Sequence, residues 1–204
     1  MRTLPDYLRK GLRLVIVGSN PGERSALLGH YYSSRTNHFW PLLYEGGIVP
    51  EQLLPEDDVR MMSEFGIGLT DLVKRPTRGM EDLRREEFAE GRVLLSQKLE
   101  TFRPQVIAFC GKSVFEKFSQ RPCKLGLQKE TLYGARVFVL PSTSGQCASP
   151  GHAERKKYFK QLGAFLKKLK AKEARTGLSG SRSIDSSEPA NRTPSRGADA
   201  AMKR

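Results

Sequence analysis

Short apolar runs, separated by longer stretches of mixed character, recur along the first 172 residues of the chain. Continuous runs of this length, rich in Val and Ile, are typical of strands buried on both faces. We predict three such strands, at residues 12–17, 106–109 and 135–140. Apolar residues at helical spacing predict helices at 56–64, 83–101 and 153–172, with shorter ones after Asn37 and Gly111. Strands that alternate with helices indicate a three-layer α/β fold, with a short, mainly parallel sheet flanked by helices.

Three segments between these elements lack a clear period. We predict a polar stretch at 23–36, a loop leading into a short extended segment at 66–73, and a basic loop at 121–134. From Glu173 onward, small and polar residues occur without periodicity, which predicts a disordered basic tail at 173–204 behind a domain of residues 1–172. The tail holds six basic and four acidic residues, so about +11 of the net charge of +13 remains on that domain.

A sharp turn follows the first strand, with the sequence Gly18-Ser19-Asn20-Pro21-Gly22. Glycine and proline end the strand and bring Asn20 to its carboxyl end, where ligands bind in open parallel sheets. The loop at 141–147, after the third strand, is expected to face the same side, with Asp71 joining both. The alternative is that Asn-Pro-Gly is only a turn, because Asn tolerates the required backbone and proline presets φ.

Composition limits the kind of binding partner and the kind of functional site that we expect. The net charge of +13 favours a polyanionic partner but names no reaction. The three cysteines lie far apart and the three histidines show no paired spacing, so we expect no metal site. Sparse cysteines suit a reducing compartment, and no apolar run approaches the ~20 residues of a membrane span. We therefore expect a soluble intracellular protein that does not bind membranes.

Several short motifs occur together in the order and at the spacing of a known family. They are Gly18-Ser19-Asn20-Pro21-Gly22, Tyr32, Asn37-His38-Phe39-Trp40, Gly66-Ile67-Gly68-Leu69-Thr70-Asp71 and Leu140-Pro141-Ser142-Thr143-Ser144. Over roughly residues 12–170 they resemble the mismatch-specific uracil/thymine-DNA glycosylases, the second family of the uracil-DNA glycosylase superfamily. The resemblance implies an enzyme that flips uracil, or thymine or a modified pyrimidine, out of mismatched duplex DNA. It implies hydrolysis of the N-glycosidic bond to leave an abasic site, without a metal or an organic cofactor.

The resemblance also implies roles for single residues. Asn20 stands at the family's water-positioning site, and a neutral amide can bond a water but cannot act as a general base. Tyr32 stands where an aromatic ring stacks on the flipped base, the alternative being an ordinary half-buried tyrosine. Ser25 falls near the C5 edge of the pyrimidine, and backbone amides around Ser19 and Tyr32 meet its oxygens. The implied substrate-binding residues are Gly18, Ser19, Ser25, Tyr32 and Ser142.

Two positions depart from the familiar members. Asp71 replaces Lys or Asn, so a carboxylate is available to activate the water; the alternative is a strand-end ion pair with Lys74 or Arg75. The loop from Pro141 to Cys147 takes the place of the loop that the family inserts into the minor groove, where familiar members often have Leu or Arg. We expect Ser144, Gly145 and Gln146 to contact DNA and Gln146 to fill the gap, without strict recognition of an opposite guanine.

The expected partner is double-stranded DNA with a G:U or related mismatch, bound by a monomer. The expected location is the cytoplasm, with the nucleoid in a bacterium or the nucleus in a eukaryote. One alternative is a non-catalytic module of the same fold that binds lesions or mismatches. Another is a basic phosphate-binding protein that uses the glycine-rich turn. Only an enzyme would leave an alkali-labile abasic site in a duplex containing uracil.

Overall fold

A five-stranded sheet carries the three predicted core strands and two more. The computed structural model describes residues 3–147 and 149–180, with side chains up to residue 175. The strands are β1 (Leu14–Gly18), β2 (Ile67–Asp71), β3 (Val106–Cys110), β4 (Gly126–Leu132) and β5 (Ala135–Leu140). Their order across the sheet is β2-β1-β3-β5-β4, and every neighbouring pair is parallel except β4 with β5.

The parallel strands consist mostly of apolar residues because both of their faces are buried; the exceptions are Thr70 and Asp71 in β2 and Arg136 in β5. Every residue of β1, β2 and β3 is buried, although successive side chains point to opposite sides of a strand. On one face, Val15, Ile107 and Val137 pack in a single apolar cluster with residues of the two helices that follow β2 and β3. The continuous apolar runs therefore predicted burial correctly.

In the described part of the chain, six helices connect or follow the strands. They are α1 (Glu23–Leu28), α2 (Phe39–Glu45), α3 (Asp58–Ser63), α4 (Arg85–Phe102), α5 (Lys112–Ser119) and α6 (His152–Gly180), with short 3-10 turns at Pro55–Asp57 and Met80–Asp82. The predicted helices are confirmed with shifted ends. The cap position of α2 is His38 rather than the expected Asn37, although the Asn37 Oδ1 accepts the Phe39 amide at 2.9 Å. Within the described ranges, no helix is long and apolar enough to cross a membrane.

The predicted loop at 121–134 was wrong. The segment 121–134 contains β4, which pairs antiparallel with β5 through a tight turn at Tyr133 and Gly134, both at positive φ. Its strand character escaped detection because an edge strand is mostly solvated, so β4 shows no apolar run. The polar stretch at 23–36 contains the short helix α1, and the short extended segment predicted within 66–73 is strand β2, which begins directly at Ile67.

The chain divides into two compact units, residues 1–168 and 169–204. The first contains the whole sheet and α1 to α5. In the second, the described residues are helical, and α6 continues to Gly180 instead of ending at the predicted residue 172. The rest of the predicted tail, 181–204, lies outside the described residues.

Candidate active site

A cavity of 340 Å³ lies where the turns after β1, β2, β3 and β5 meet. This volume falls within the range of small-molecule sites, near its lower end. The predicted convergence of the turn after β1, the loop after β5 and Asp71 is confirmed, because all three line the cavity. Every predicted site residue is part of this lining: Gly18, Ser19, Asn20, Ser25, Tyr32, Asp71, Ser142, Ser144, Gly145 and Gln146.

The side-chain amide of Asn20 has a defined orientation. Its Nδ2 donates to the Arg75 carbonyl at 3.1 Å and to the Thr77 Oγ1 at 2.7 Å. The Thr77 hydroxyl donates its own hydrogen to the Gly79 carbonyl at 2.6 Å, so it can only accept from Asn20. The nitrogen is thereby committed, and Oδ1 makes no hydrogen bond to any described residue. Asn20 therefore offers one acceptor in a cavity-lining position.

The segment after β2 braces the turn that carries Asn20. β1 pairs with β2 up to Gly18 opposite Asp71, and the pairing continues past both strand ends. The Leu72 amide donates to the Gly18 carbonyl at 2.9 Å, and the Thr77 amide donates to the Pro21 carbonyl at 3.1 Å. Backbone bonds on both sides of Asn20 therefore hold it, and its position does not depend on the turn alone.

Asp71 is buried, and no described residue forms an ion pair with it. Asp71 is 4% exposed, and its Oδ2 makes no hydrogen bond with the described residues. Burial raises the pKa of Asp71 to about 7, against the pull of nearby Lys74 in the opposite direction. Lys74 pairs with Asp6 at 2.9 Å, and Arg75 pairs with Glu87 at 2.5 Å. The alternative of a strand-end ion pair was therefore wrong.

Gly18 lets the Asp71 carboxyl lie directly against the turn. A β-carbon on Gly18 would overlap the Asp71 Oδ1 and would lie 3.1 Å from the Tyr32 Oη. Any larger residue would displace the carboxyl from the wall of the cavity. The glycine in this motif is required by side-chain packing, not only by the turn.

Tyr32 lies between the cavity and the aromatic core. Its ring stacks on Phe39, with centroids 3.7 Å apart and planes 16° from parallel. Burial, together with nearby Cys110 and Asp71, raises the pKa of Tyr32 well above its usual range, so the phenol stays neutral. The backbone at Tyr32 has φ of 54°, and the preceding amide, of Tyr31, donates to Asp58 at 2.9 Å. A conformation that is rare for a tyrosine is thus held by a buried carboxylate.

The serines of the predicted site differ in what they offer a ligand. The Ser25 Oγ accepts the Ser33 amide at 3.0 Å, so it closes the loop that leads to Tyr32. The Ser142 Oγ accepts the Ser144 amide at 3.3 Å within the loop after β5. The Ser19 Oγ is buried and makes no hydrogen bond to any described residue. Ser19 is therefore the serine of these three whose hydroxyl makes no hydrogen bond with the described residues.

The loop after β5 ends in a tight turn at the rim of the cavity. The Cys147 amide donates to the Ser144 carbonyl at 3.2 Å, which places Gly145 and Gln146 at the two corners of a β-turn. Gln146 is exposed, as a residue that reaches a partner must be. A β-carbon on Gly145 would overlap Thr36, so the turn packs closely against the segment before α2.

Sequence reasoning missed Thr77, Cys110 and Thr143, all of which line the cavity. Thr77 is 57 residues from Asn20, and no local pattern indicates that pairing. Cys110 ends β3, and its thiol lies 3.6 Å from the Thr143 Oγ1. Cys110 would have been found by treating the last residue of every core strand as a candidate site residue. Among the described residues, no three His, Cys, Asp or Glu side chains form a group that could hold a metal.

Comparison with known proteins identifies the family of this chain. A family model described as the uracil DNA glycosylase superfamily matches residues 5–169. A solution NMR structure from Methanosarcina acetivorans, described as "a putative Uracil DNA glycosylase", is 23% identical and matches with a TM-score of 0.52. The match covers 79% of this chain and 97% of that one, and it confirms the predicted fold. Since the family model spans most of the sequence, the chain belongs to the uracil DNA glycosylase superfamily.

Proposed function

We propose that this protein is a monofunctional, mismatch-specific uracil-DNA glycosylase of the second family of the superfamily. It takes uracil that is flipped out of a G:U or related mismatch and hydrolyses the bond to C1′, leaving an abasic site. One observation carries the proposal: an oriented amide, Asn20, and a buried carboxyl of raised pKa, Asp71, line a single cavity. Membership of the superfamily supports DNA as the partner.

The reaction needs a water molecule on the face of the sugar opposite the departing base. Cleavage passes through an oxocarbenium-like state, in which the C1′–N1 bond breaks and its electron pair leaves with the base. The water oxygen then bonds to C1′. Because the Nδ2 of Asn20 is committed to Thr77 and Arg75, its Oδ1 is the atom that accepts a hydrogen bond from this water. Positioning of this kind lowers the entropic part of the barrier.

Asp71 takes the proton that the water loses. A carboxylate with a pKa of about 7 is ionised above neutral pH and is basic enough to accept that proton near neutral pH. Asn20 orients the water and Asp71 acts as the general base. This division follows from their chemistry, since an amide has no useful affinity for a proton and a carboxylate does.

The flipped pyrimidine lies against Tyr32. One face of the Tyr32 ring is already covered by Phe39, so stacking on the other face completes a sandwich. Stacking of a base on an aromatic ring contributes about 1–3 kcal/mol. The backbone amides near Ser19 and Tyr32 donate to the pyrimidine oxygens and stabilise the charge that develops as the base leaves.

The β-turn at Gly145 and Gln146 enters the duplex and fills the space left by the flipped nucleotide. Gln146 is exposed at the corner of this turn on the cavity rim, which supports that role. Gln is long and uncharged, so it fills the gap without strictly selecting the opposite base. The basic charge of the chain supports binding to the phosphate backbone.

The test is single-turnover excision from a duplex with one G:U pair, detected as alkali-labile strand breakage. Asn20→Ala is expected to lose at least about 10²-fold in rate, because the water loses its position. The control is Gln128→Ala, whose side chain also donates to two backbone carbonyls, at 2.8 Å each, but lies on β4 outside the cavity lining. It should retain full activity.

Two results would contradict the proposal. Full activity of Asn20→Ala would remove the basis of the assigned chemistry. Tight binding of the mismatched duplex by the wild-type protein, without any strand breakage after alkali, would favour the alternative of a non-catalytic mismatch-binding module of the same fold.

A further inference from the structure

A buried arginine lies behind the turn at the rim of the cavity. Arg155, in the first turns of α6, is only 4% exposed, whereas most arginines lie at the surface. The next residue on the helix, Lys156, forms an ion pair with Glu45 at 3.0 Å. No carboxylate of the described residues lies within 4 Å of the Arg155 guanidinium.

The guanidinium is directed at backbone carbonyls of the turn instead. The Arg155 Nη2 donates to the Ser144 carbonyl at 3.4 Å and makes a short hydrogen bond to the Cys147 carbonyl. These are the first and last residues of the β-turn whose corners are Gly145 and Gln146. One nitrogen with two hydrogens therefore ties both ends of the turn together from behind. The Arg155 Nε makes no hydrogen bond with the described residues.

Stability of the fold does not account for this arrangement. A buried charge without an opposite charge is costly, and an apolar residue of similar size would avoid that cost. Hydrogen bonds from a charged donor are stronger than neutral ones, so they hold a loop in one geometry. The opposite side of the turn is also confined, because Gly145 packs against Thr36. The turn is clamped between α6 and the segment before α2.

We propose that Arg155 is a positioning residue that holds the 144–147 turn in the geometry in which Gln146 inserts into duplex DNA. The proposal rests on the proposed function. The proposal concerns the geometry of the turn and not the chemistry at C1′. Loss of Arg155 should therefore lower excision only from substrates in which a duplex must be opened. A single-stranded substrate leaves no gap in a base stack, and its excision does not require the clamp.

The first experiment compares excision from a G:U duplex and from a single strand containing uracil. Arg155→Met is expected to lower the duplex rate about 10- to 100-fold, the effect of losing two charge-assisted hydrogen bonds, and to leave the single-strand rate within about twofold. Arg155→Lys, which keeps a charged donor, should recover part of the duplex rate. Lys160→Met is the matched control: it removes one charge from an exposed position of the same helix and should change neither rate.

The second experiment measures the order of the turn without DNA. Cys147 is exposed, and its thiol donates to the Ser142 Oγ at 3.5 Å, so its reactivity reports on the turn. In a Cys123→Ser background the remaining thiol, Cys110, is buried, and Ellman's reagent labels Cys147. Arg155→Met should raise the labelling rate several-fold, with Arg155→Lys intermediate and Lys160→Met unchanged.

Each outcome decides between positioning and a merely structural role. Equal losses on duplex and single strand, or an unchanged labelling rate in Arg155→Met, would overturn the proposal. If Arg155→Met does not fold, Arg155→Lys decides the question through the same two comparisons. These are its duplex rate against its single-strand rate, and its labelling rate against that of wild type. A wild-type protein without excision activity would defeat the proposed function, while the labelling rates would still show whether Arg155 holds the turn.

Discussion

Replacing Asp71 with Asn should stabilise the protein and inactivate it at the same time. The native carboxyl has a pKa of about 7 and the ordinary value is 3.8, so between these values the folded state keeps a proton that the unfolded chain releases. Stability attributable to Asp71 is therefore lost as the pH rises above about 4, and the loss is complete above about 7. Asn cannot ionise and escapes this cost.

The size of the effect follows from the raised pKa of Asp71, about 7 against the ordinary value of 3.8. Each pKa unit corresponds to about 1.36 kcal/mol, so the cost at pH 8 is about 4 kcal/mol. At pH 5 Asp71 is already ionised in the unfolded chain, and about 1.6 kcal/mol of that cost is present. The free energy of unfolding of Asp71→Asn minus that of wild type should therefore increase by about 2–3 kcal/mol from pH 5 to pH 8. Taking this difference between two pH values cancels any constant effect of the amide.

Urea unfolding of both proteins at the two pH values measures this increase. The matched control is Asp58→Asn, another buried carboxyl, whose oxygens accept from the Tyr31 amide at 2.9 Å and the Tyr7 hydroxyl at 3.3 Å. Asn keeps one acceptor oxygen, so loss of the other, and of the contact with His30 at 3.2 Å, should destabilise the protein at both pH values, by about 1–3 kcal/mol. Stabilisation is expected only where the native carboxyl lacks partners.

The rate of excision should fall in Asp71→Asn, whereas its stability should rise. Asp71→Asn is expected to lose about 10²–10⁴ in single-turnover rate, the range usual for a general base. The wild-type rate should rise as the pH increases through about 7, and this rise should be absent from the variant. A stability difference that does not change with pH would refute the raised pKa. Full activity of the variant would refute the catalytic role alone.

Three further substitutions test single contacts of the site. Thr77→Val removes the acceptor of the Asn20 Nδ2 and should slow excision about tenfold, with Thr77→Ser close to wild type; equal rates for Val and Ser would show that the bond is unimportant. Gly18→Ala should abolish excision and lower the melting temperature by several degrees, since its β-carbon would overlap the Asp71 carboxyl. Gly151→Ala, where an added β-carbon meets nothing within 4 Å, is the control, and a similar fall in melting temperature there would remove the steric explanation. Gln146→Ala should reduce excision from duplex more than from single strands, and an equal loss on both would place Gln146 in the pocket or in the fold.

The sequence by itself determined the core of the sheet and the edge at which the site lies. Strands β1 and β3 are buried on both faces, and so is β5 apart from the half-buried Arg136; apart from that residue, their residues are apolar in runs that are visible locally. Glycine and proline then end β1 at a defined point, and parallel strands bring their carboxyl ends to one edge. Strand β4 was missed for the converse reason, because a solvated edge strand leaves no apolar run.

Only the tertiary structure decided the chemical state and orientation of the groups at that edge. The orientation of Asn20 depends on Thr77, 57 residues away, and the sequence indicates no partner at such a distance. Asp71 has neighbours in sequence that suit an ion pair, yet Lys74 and Arg75 are engaged by Asp6 and Glu87. Its pKa follows from burial, which depends on the packing of distant segments and not on local composition.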